Sequence, residues 1–391
     1  MSQPLRVLHV LGGMNRGGVE TWLMQVLRRI DRRVVQMDFL VSTDRPCAYD
    51  DEILSLGCRI IPCLNHTRPW LYARNFRRAL RQHGPYDVVH SHVQHYSGFV
   101  LRLAHWAGVP VRIAHSHTNN LLVQAKAGFL RRRYLGLMGS WLRSHATLGL
   151  AISRQAAAAL YGPNWQRDPR WRLLYYGLDL APFRITVDPA EMRRELGLPP
   201  DTLNIVHTGR FVEVKNHSFM LDVALEVAKR EPKFRLLLIG DGPLRPAIEQ
   251  QASRLGLDGT VLFTGVRTDI QRLLLGAADV FLFPSRFEGF GLALVEAQAA
   301  GVPCVCSDCL PPEADVVAPL VRRLSLSQPA SAWAEALLAL GNRAPCLGRS
   351  EALAYVDCDF NIQTSVDELT RIYAAEASCP QGLLAVAGYT N

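Results

Sequence analysis

Short apolar runs that stop at glycine or a small polar residue, each followed by a stretch of helical spacing, recur along this 391-residue chain, and that rhythm leaves few folds open. Leu5 to Val10 leads into Gly12-Gly13-Met14-Asn15-Arg16-Gly17-Gly18, after which Val19, Leu23, Val26, Leu27 and Ile30 fall on one helical face. Met37 to Val41, Ile60-Ile61, Val88-Val89 and Val111 to Ala114 read as further strands, with helices over Trp70 to His83 and Tyr96 to Ala107. The rhythm restarts with Asn204 to His207, Phe234 to Ile239, Val261 to Phe263 and Val280 to Phe283, which end at Thr208-Gly209, Gly240-Asp241-Gly242-Pro243, Thr264-Gly265 and Pro284-Ser285. Such alternation predicts an α/β chain of parallel sheets covered by helices on both faces. In sheets of that kind ligands gather at the carboxyl ends of the strands.

The length suits two domains, each large enough to bury its own core. Asp179, Pro182, Asp188, Pro189, Pro199 and Pro200 bracket a short charged helix and mark the join. The first domain is therefore placed at 1–184 and the second at 185–375, with a last amphipathic helix at about 361–375 carrying Ile362, Val366, Leu369 and Ile372, and a tail over 376–391. No run of 18 apolar residues and no signal-peptide core is present, so a cytoplasmic protein is expected. Nine irregularly spaced cysteines make no disulfide framework. Cys304, Cys306 and Cys309 lack a second CxxC or a histidine arm, and read as small residues beside a strand.

The net charge of +8 is unevenly spread. Residues 1–184 hold 25 Lys and Arg against 10 Asp and Glu, and the remainder hold 18 against 25. Arg74-Asn75-Phe76-Arg77-Arg78-Ala79-Leu80-Arg81 and Arg131-Arg132-Arg133-Tyr134-Leu135 interleave basic and apolar residues, as a face lying on an anionic membrane surface would. Nucleic acid is not expected, because no nucleic-acid motif accompanies these clusters.

Three motifs carry chemistry. Phe287-Glu288-Gly289-Phe290-Gly291-Leu292-Ala293-Leu294-Val295-Glu296 sets one carboxylate on a glycine-rich turn and another on the helix that follows, and the N–H groups of such a helix start face an anion. Thr208-Gly209-Arg210-Phe211-Val212-Glu213-Val214-Lys215-Asn216-His217 supplies a guanidinium fork and a point charge around one loop, suited to a diphosphate leaving group. His90-Ser91-His92 and His115-Ser116-His117 each follow a strand. They resemble metal ligands, but no carboxylate or cysteine completes the set at ligand spacing, so no zinc is expected. The loop Gly12 to Gly18 lacks the GxGxxG pattern of a dinucleotide cofactor.

Together GGMNRGGVE, GRFVEVKNH, GDGP, VLFTG and FPSRFEGFGLALVEAQAAGVPCV resemble the retaining glycosyltransferases of family four, over about residues 5–375. HSHTNN and KNH look closest to enzymes that assemble bacterial capsular and exopolysaccharide units. The resemblance implies the GT-B fold: two Rossmann-like domains facing across a cleft, with the C-terminal helix crossing back to the first. It implies that Glu296 meets the ribose hydroxyls of a nucleotide diphosphate sugar, that Glu288 meets the transferred sugar, and that Phe290, Gly291 and Leu292 present backbone N–H groups. Arg210 and Lys215 would hold the diphosphate, while Gly265, Val266 and Arg267 would edge the base. Gly13, Gly17 and Gly18 would let the first loop approach, with Asn15 and Arg16 at its tip. A histidine after the second of the two strands would reach the sugar through its ring or neighbouring carbonyl; His117 is the choice and His115 the competitor. The expected activity is retaining transfer of a hexose or N-acetylhexosamine, by family habit from a UDP-sugar, to a glycan or lipid-diphosphate acceptor at the inner face of the plasma membrane. The nucleotide sugar is a co-substrate and no cofactor is expected. Asp357-Cys358-Asp359 is the wrong place for a metal-binding DxD pair, so the fixed cations are expected to replace a metal. A non-catalytic nucleotide-sugar-binding subunit and an epimerase are the alternatives.

Overall fold

The computed structural model describes residues 3–119, 128–342 and 347–378. Two compact units emerge: Met1–Gly177 with Ile362–Asn391, and Leu178–Asn361. Asp179 to Arg184, assigned to the first domain by composition, lie in the second unit.

The first unit holds a parallel sheet of β1 (Leu5–Leu11), β2 (Val35–Val41), β3 (Ile60–Pro62), β4 (Val88–Ser91), β5 (Val111–Ser116), β6 (Leu148–Ala151) and β7 (Trp171–Leu173). Its helices include α1 (Gly18–Arg29), α2 (Asp50–Ser55), α3 (Pro69–His83), α4 (Ser97–Trp106), α5 (Phe129–His145) and α6 (Arg154–Tyr161). The strand order is β3-β2-β1-β4-β5-β6-β7. β4 and β5 are buried along their whole length, the polar His90, Ser91, Arg112, His115 and Ser116 included, so neither has a solvent-facing side.

The second unit follows the same plan with α7 (Pro189–Glu195), β8 (Leu203–Thr208), α8 (His217–Ala228), β9 (Phe234–Ile239), α9 (Arg245–Arg254), β10 (Val261–Gly265), α10 (Ile270–Gly276), β11 (Val280–Phe283), α11 (Leu292–Ala299), β12 (Cys304–Ser307), β13 (Val321–Leu324), α12 (Ala330–Gly341) and α13 (Arg349–Phe360). Its order is β10-β9-β8-β11-β12-β13, and its pairings are parallel. The core includes Ile205, Leu236, Leu238, Val280, Leu282, Trp333 and Leu337.

The last helix, α14 (Ile362–Ser378), belongs to the first unit and packs on α1 and β1. Trp22 Nε1 donates to Ser365 Oγ at 3.0 Å, tying α14 to α1 deep in the core. The expected tail from residue 376 begins inside this helix, and residues 379–391 lie outside the described residues. No helix of the described residues is long and apolar enough to cross a membrane.

In both sheets the strand order reverses beside the first strand, between β1 and β4 and between β8 and β11. Connections leave such a point in opposite directions, so the loops diverge and open a crevice at the carboxyl ends. In the second unit the β9 loop braces the β8 loop: Phe211 N donates to Asp241 O at 2.9 Å and Leu244 N to Phe211 O at 3.1 Å. This approach requires glycine at 240, whose φ is +133° and whose Cβ would stand 2.1 Å from Gly209 O. Gly240→Ala should therefore cost about 2 kcal/mol or more. Urea unfolding of the two proteins checks this, and equal midpoints would show that the loops do not need the contact.

Candidate active site

The crevice of the second unit is built from the loops after β8 and β11, and the backbone stitches them together. Arg286 N donates to Val214 O at 2.8 Å, and Asn216 Nδ2 donates to Pro284 O at 3.3 Å. Asn216 adopts a left-handed conformation (φ 62°) that turns the chain into α8. Lys215 lies on the short turn before it, with Nζ 2.6 Å from Glu288 Oε1 and 4.7 Å from the Phe283 ring centre. The ion pair is largely shielded from solvent, the side chains keeping 17% and 15% of their exposure. Lys215 and Glu288 thus meet directly. Arg210 is exposed, and its guanidinium has no partner among the described residues. It remains free to grip an anion with two parallel N–H groups.

Gly291 has φ 99° and ψ 48°, a left-handed turn that starts α11 with no side-chain cap. The first N–H groups of the helix are left for another acceptor, as at any uncapped helix start. Phe290 is buried against Phe360, ring centres 5.3 Å apart, which anchors the turn. Leu292 opens the helix, and Glu296 follows one turn later. The Glu296 carboxylate has no hydrogen-bond partner among the described residues. It keeps part of its surface, yet protein atoms crowd it enough that desolvation pushes its carboxyl up to about 7. Behind the loop, His207 and His217 are buried and desolvation holds both below the usual histidine range, His217 at about 4. Sequence reasoning did not assign them a role.

The residues expected at the base are less uniform. Gly265 (φ +72°) ends the edge strand β10 and accepts from Gly240 N at 2.9 Å. Val266 is 60% exposed, an open apolar platform. Arg267 is paired with Asp269 at 2.6 Å. Asp357 of the DxD sequence lies on α13, 2.5 Å from Arg184 and 2.6 Å from Asn361 Nδ2. Cys304 and Cys306 are buried strand residues whose thiols burial holds protonated, Cys306 up to about 12.

In the first unit, Gly13, Gly17 and Gly18 follow β1, Met14 is buried, and Asn15 and Arg16 are exposed at the tip. Asn15 Oδ1 accepts from Ala48 N at 3.2 Å, so its side chain braces the neighbouring loop. The histidines converge far more than their sequence positions suggest. His9 and His90 are paired across β1 and β4, and His92, His115 and His117 join them in one buried cluster with Tyr176 and Tyr373. His115 is fully enclosed and neither ring nitrogen has a partner among the described residues, whereas His117 retains 9% exposure. Burial lowers every ring of the five, His9 and His117 to about 3, so all are neutral at physiological pH. His9, His90 and His92, and His92, His115 and His117, each bring ligand atoms within 4.8 Å of one another. Either trio could hold an imidazole-binding cation, but neither includes a carboxylate or thiolate to offset the buried charge. His9 and Tyr176 were missed in the sequence, since one sits inside an apolar strand and the other in a connecting segment.

The raised carboxyl of Glu296 has a consequence for stability. Between its ordinary value of 4.5 and about 7 the folded chain holds a proton that the unfolded chain has lost, so stability falls as pH rises through that window. Glu296→Gln removes the effect and should gain on the wild type between pH 5 and 8, by up to about 3 kcal/mol. Urea midpoints across that range decide it, and a pH-independent difference contradicts the assignment.

Residues 17–177 match the glycosyl transferase 4-like domain, and residues 188–343 match glycosyl transferases group 1. EpsF of Bacillus subtilis (strain 168), which carries a glycosyltransferase name, is 40% identical over 383 residues, 95% of this chain and 97% of that protein. The capsular polysaccharide biosynthesis glycosyltransferase CapH of Staphylococcus aureus is 24% identical over 302 residues, 75% of this chain and 79% of its own. The crystal structure of Anabaena HepE in complex with UDP has a TM-score of 0.78 at 19% identity, covering 95% of this chain and 100% of that one, and the HepE complex with UDP-glucose matches with the same score at 18% identity. The structural likeness shows the GT-B fold, and the match to EpsF over almost the full length of both proteins carries the family with it: the chain is a glycosyltransferase of group 1, with a glycosyl transferase 4-like N-terminal domain.

Proposed function

We propose that this glycosyltransferase moves a hexose or N-acetylhexosamine from a UDP-sugar to a glycan or lipid-diphosphate-linked acceptor in cell-surface polysaccharide synthesis, with retained anomeric configuration and without a metal. The observation that carries the donor reading is the grouping, on the loops and helix beside the β8/β11 reversal, of the Lys215–Glu288 pair with the Arg210 guanidinium and the Glu296 carboxyl, neither of which has a partner among the described residues. Glu296 would accept from the ribose hydroxyls, because an ionised carboxylate offers only acceptors. Arg210 and Lys215 would take the diphosphate, where negative charge grows as the glycosidic bond breaks. Glu288 would hold hydroxyls of the sugar while steadying Lys215. The UDP and UDP-glucose bound to HepE and the capsular role named for CapH support the choice of donor and pathway class.

The acceptor reading rests on the first unit. Trp70 (70% exposed) and Trp106 (52%) line a groove of about 700 Å³ with Arg74, Arg77 and Arg81, and Phe129 and Leu130 project beside Arg131 to Arg133 on α5. Exposed aromatics set among arginines suit the headgroup region of an anionic membrane, where a lipid-linked acceptor would reside. With both ring nitrogens of His117 engaged within the protein, its backbone carbonyl is the group left to face positive charge at the anomeric carbon.

Incubation with UDP-sugars and candidate acceptors in EDTA tests the reading. UDP should be released only when acceptor is present, and proton NMR of the product should show the donor's anomeric configuration. Loss of turnover in EDTA that Mg²⁺ or Mn²⁺ restores contradicts the metal-free reading. UDP-sugar interconversion without acceptor would instead identify an epimerase.

A further inference from the structure

Neither ring nitrogen of His117 is free. Nδ1 lies 2.5 Å from Tyr176 Oη, and Nε2 lies 2.8 Å from His92 Nδ1; His92 Nε2 lies 3.0 Å from His9 Nδ1. Tyr176, His117, His92 and His9 therefore form one unbranched line of three buried hydrogen bonds across neighbouring strand ends. A neutral imidazole has one N–H and one lone pair, so once the first bond is set every later bond must point the same way. If Tyr176 donates, all three rings carry their proton on Nε2, and the single group left over is the His9 Nε2–H. If the line runs backwards, all three carry it on Nδ1, the Tyr176 hydroxyl proton has no acceptor among the described residues, and the His9 Nε2 lone pair is stranded as well. The first direction leaves one unsatisfied group and the second leaves two. Each buried donor without a partner costs about 1–3 kcal/mol, so the difference sets the direction.

The anchor of the line is itself fixed. Tyr176 stacks on Trp22 with ring centres 4.9 Å apart, and Trp22 is held by its bond to Ser365 of α14. We infer that Tyr176, His92 and His9 are positioning residues for His117: the Tyr176 hydroxyl sets the Nε2–H tautomer of all three rings, and the line holds the His117 ring and backbone at the end of β5 in one orientation. Its catalytic consequence rests on the reading of His117 as a sugar-facing residue, whereas the tautomers themselves do not.

Full-length protein labelled with ¹⁵N-histidine, studied by multiple-bond ¹H–¹⁵N correlation at pH 7 with and without EDTA, tests the line without any turnover. Nε2–H tautomers at His117, His92 and His9, unchanged by EDTA, are expected. Tyr176→Phe keeps the stacked ring and removes one hydroxyl; it should move the His117 and His92 signals and lower kcat roughly 10- to 100-fold, with the donor KM within about twofold. An Nδ1–H tautomer at His117, or signals that Tyr176→Phe leaves in place, overturns the direction of the line. A stoichiometric metal whose removal by EDTA shifts the histidine signals overturns it in favour of a cation site. The expected tautomers with an unchanged kcat in Tyr176→Phe overturn the positioning role alone. If that variant does not fold, the wild-type tautomers decide the direction.

Discussion

Both halves of this protein depend on the reversal of strand order beside the first strand of each sheet. A parallel strand must be followed by a crossover, and crossovers on the two sides of β1 or β8 leave in opposite directions. The loops after β1 and β4, and those after β8 and β11, therefore diverge as they leave the sheet and open a crevice there. Glycine loops, histidines, cations and carboxylates accumulate there because those are the places where backbone and side chains are near the core yet not consumed by it. In the second unit the close approach at Gly240 and the Phe211 hydrogen bond tie the β9 loop to the β8 loop, and the Arg286 hydrogen bond ties the β8 loop to the β11 loop, so the three make one rim.

The chemistry of that rim is a competition between internal and external partners. Lys215 and Glu288 satisfy one another in a partly buried pair, an arrangement whose attraction is offset by the desolvation of both ions. A diphosphate brings negative charge that can share Lys215, and sugar hydroxyls can share Glu288, so a ligand replaces part of an existing interaction rather than meeting two solvated groups. Arg210 and Glu296 differ: neither has an internal partner among the described residues, and Glu296 is held where desolvation favours its neutral form. Ribose hydroxyls donated to that carboxylate would stabilise its ionised form and return some of the lost stability.

Much of the fold was legible because buried parallel strands are continuous apolar runs: Phe234–Ile239 and Val280–Phe283 carry the same bounds in the sequence and in the sheet. Leu148–Ala151 and Trp171–Leu173 gave no such signal. Gly149 interrupts the first and Arg172 the second, and Gly149 is there to admit the Trp171 ring, whose Cε3 lies 2.3 Å from where a Cβ would be. The loop residues of the second unit were found because glycine and charge mark a turn and a phosphate site within a few positions. The histidine line was not, since His9, His92, His117 and Tyr176 are brought together by strand pairing across more than 160 positions, and no local spacing encodes that. The same limit applies to Lys215 with Glu288, which were named separately and turned out to be in contact.

Isothermal titration of UDP into the full chain in EDTA, beside Arg210→Ala and Glu296→Ala, tests the donor site most directly. The account predicts one UDP per chain, weakened in both variants by at least about tenfold, the scale of a lost charge-assisted hydrogen bond, while the folded proteins keep wild-type circular dichroism. Undiminished UDP binding by both variants, or no binding by the wild type, would contradict the placement of the nucleotide on these loops.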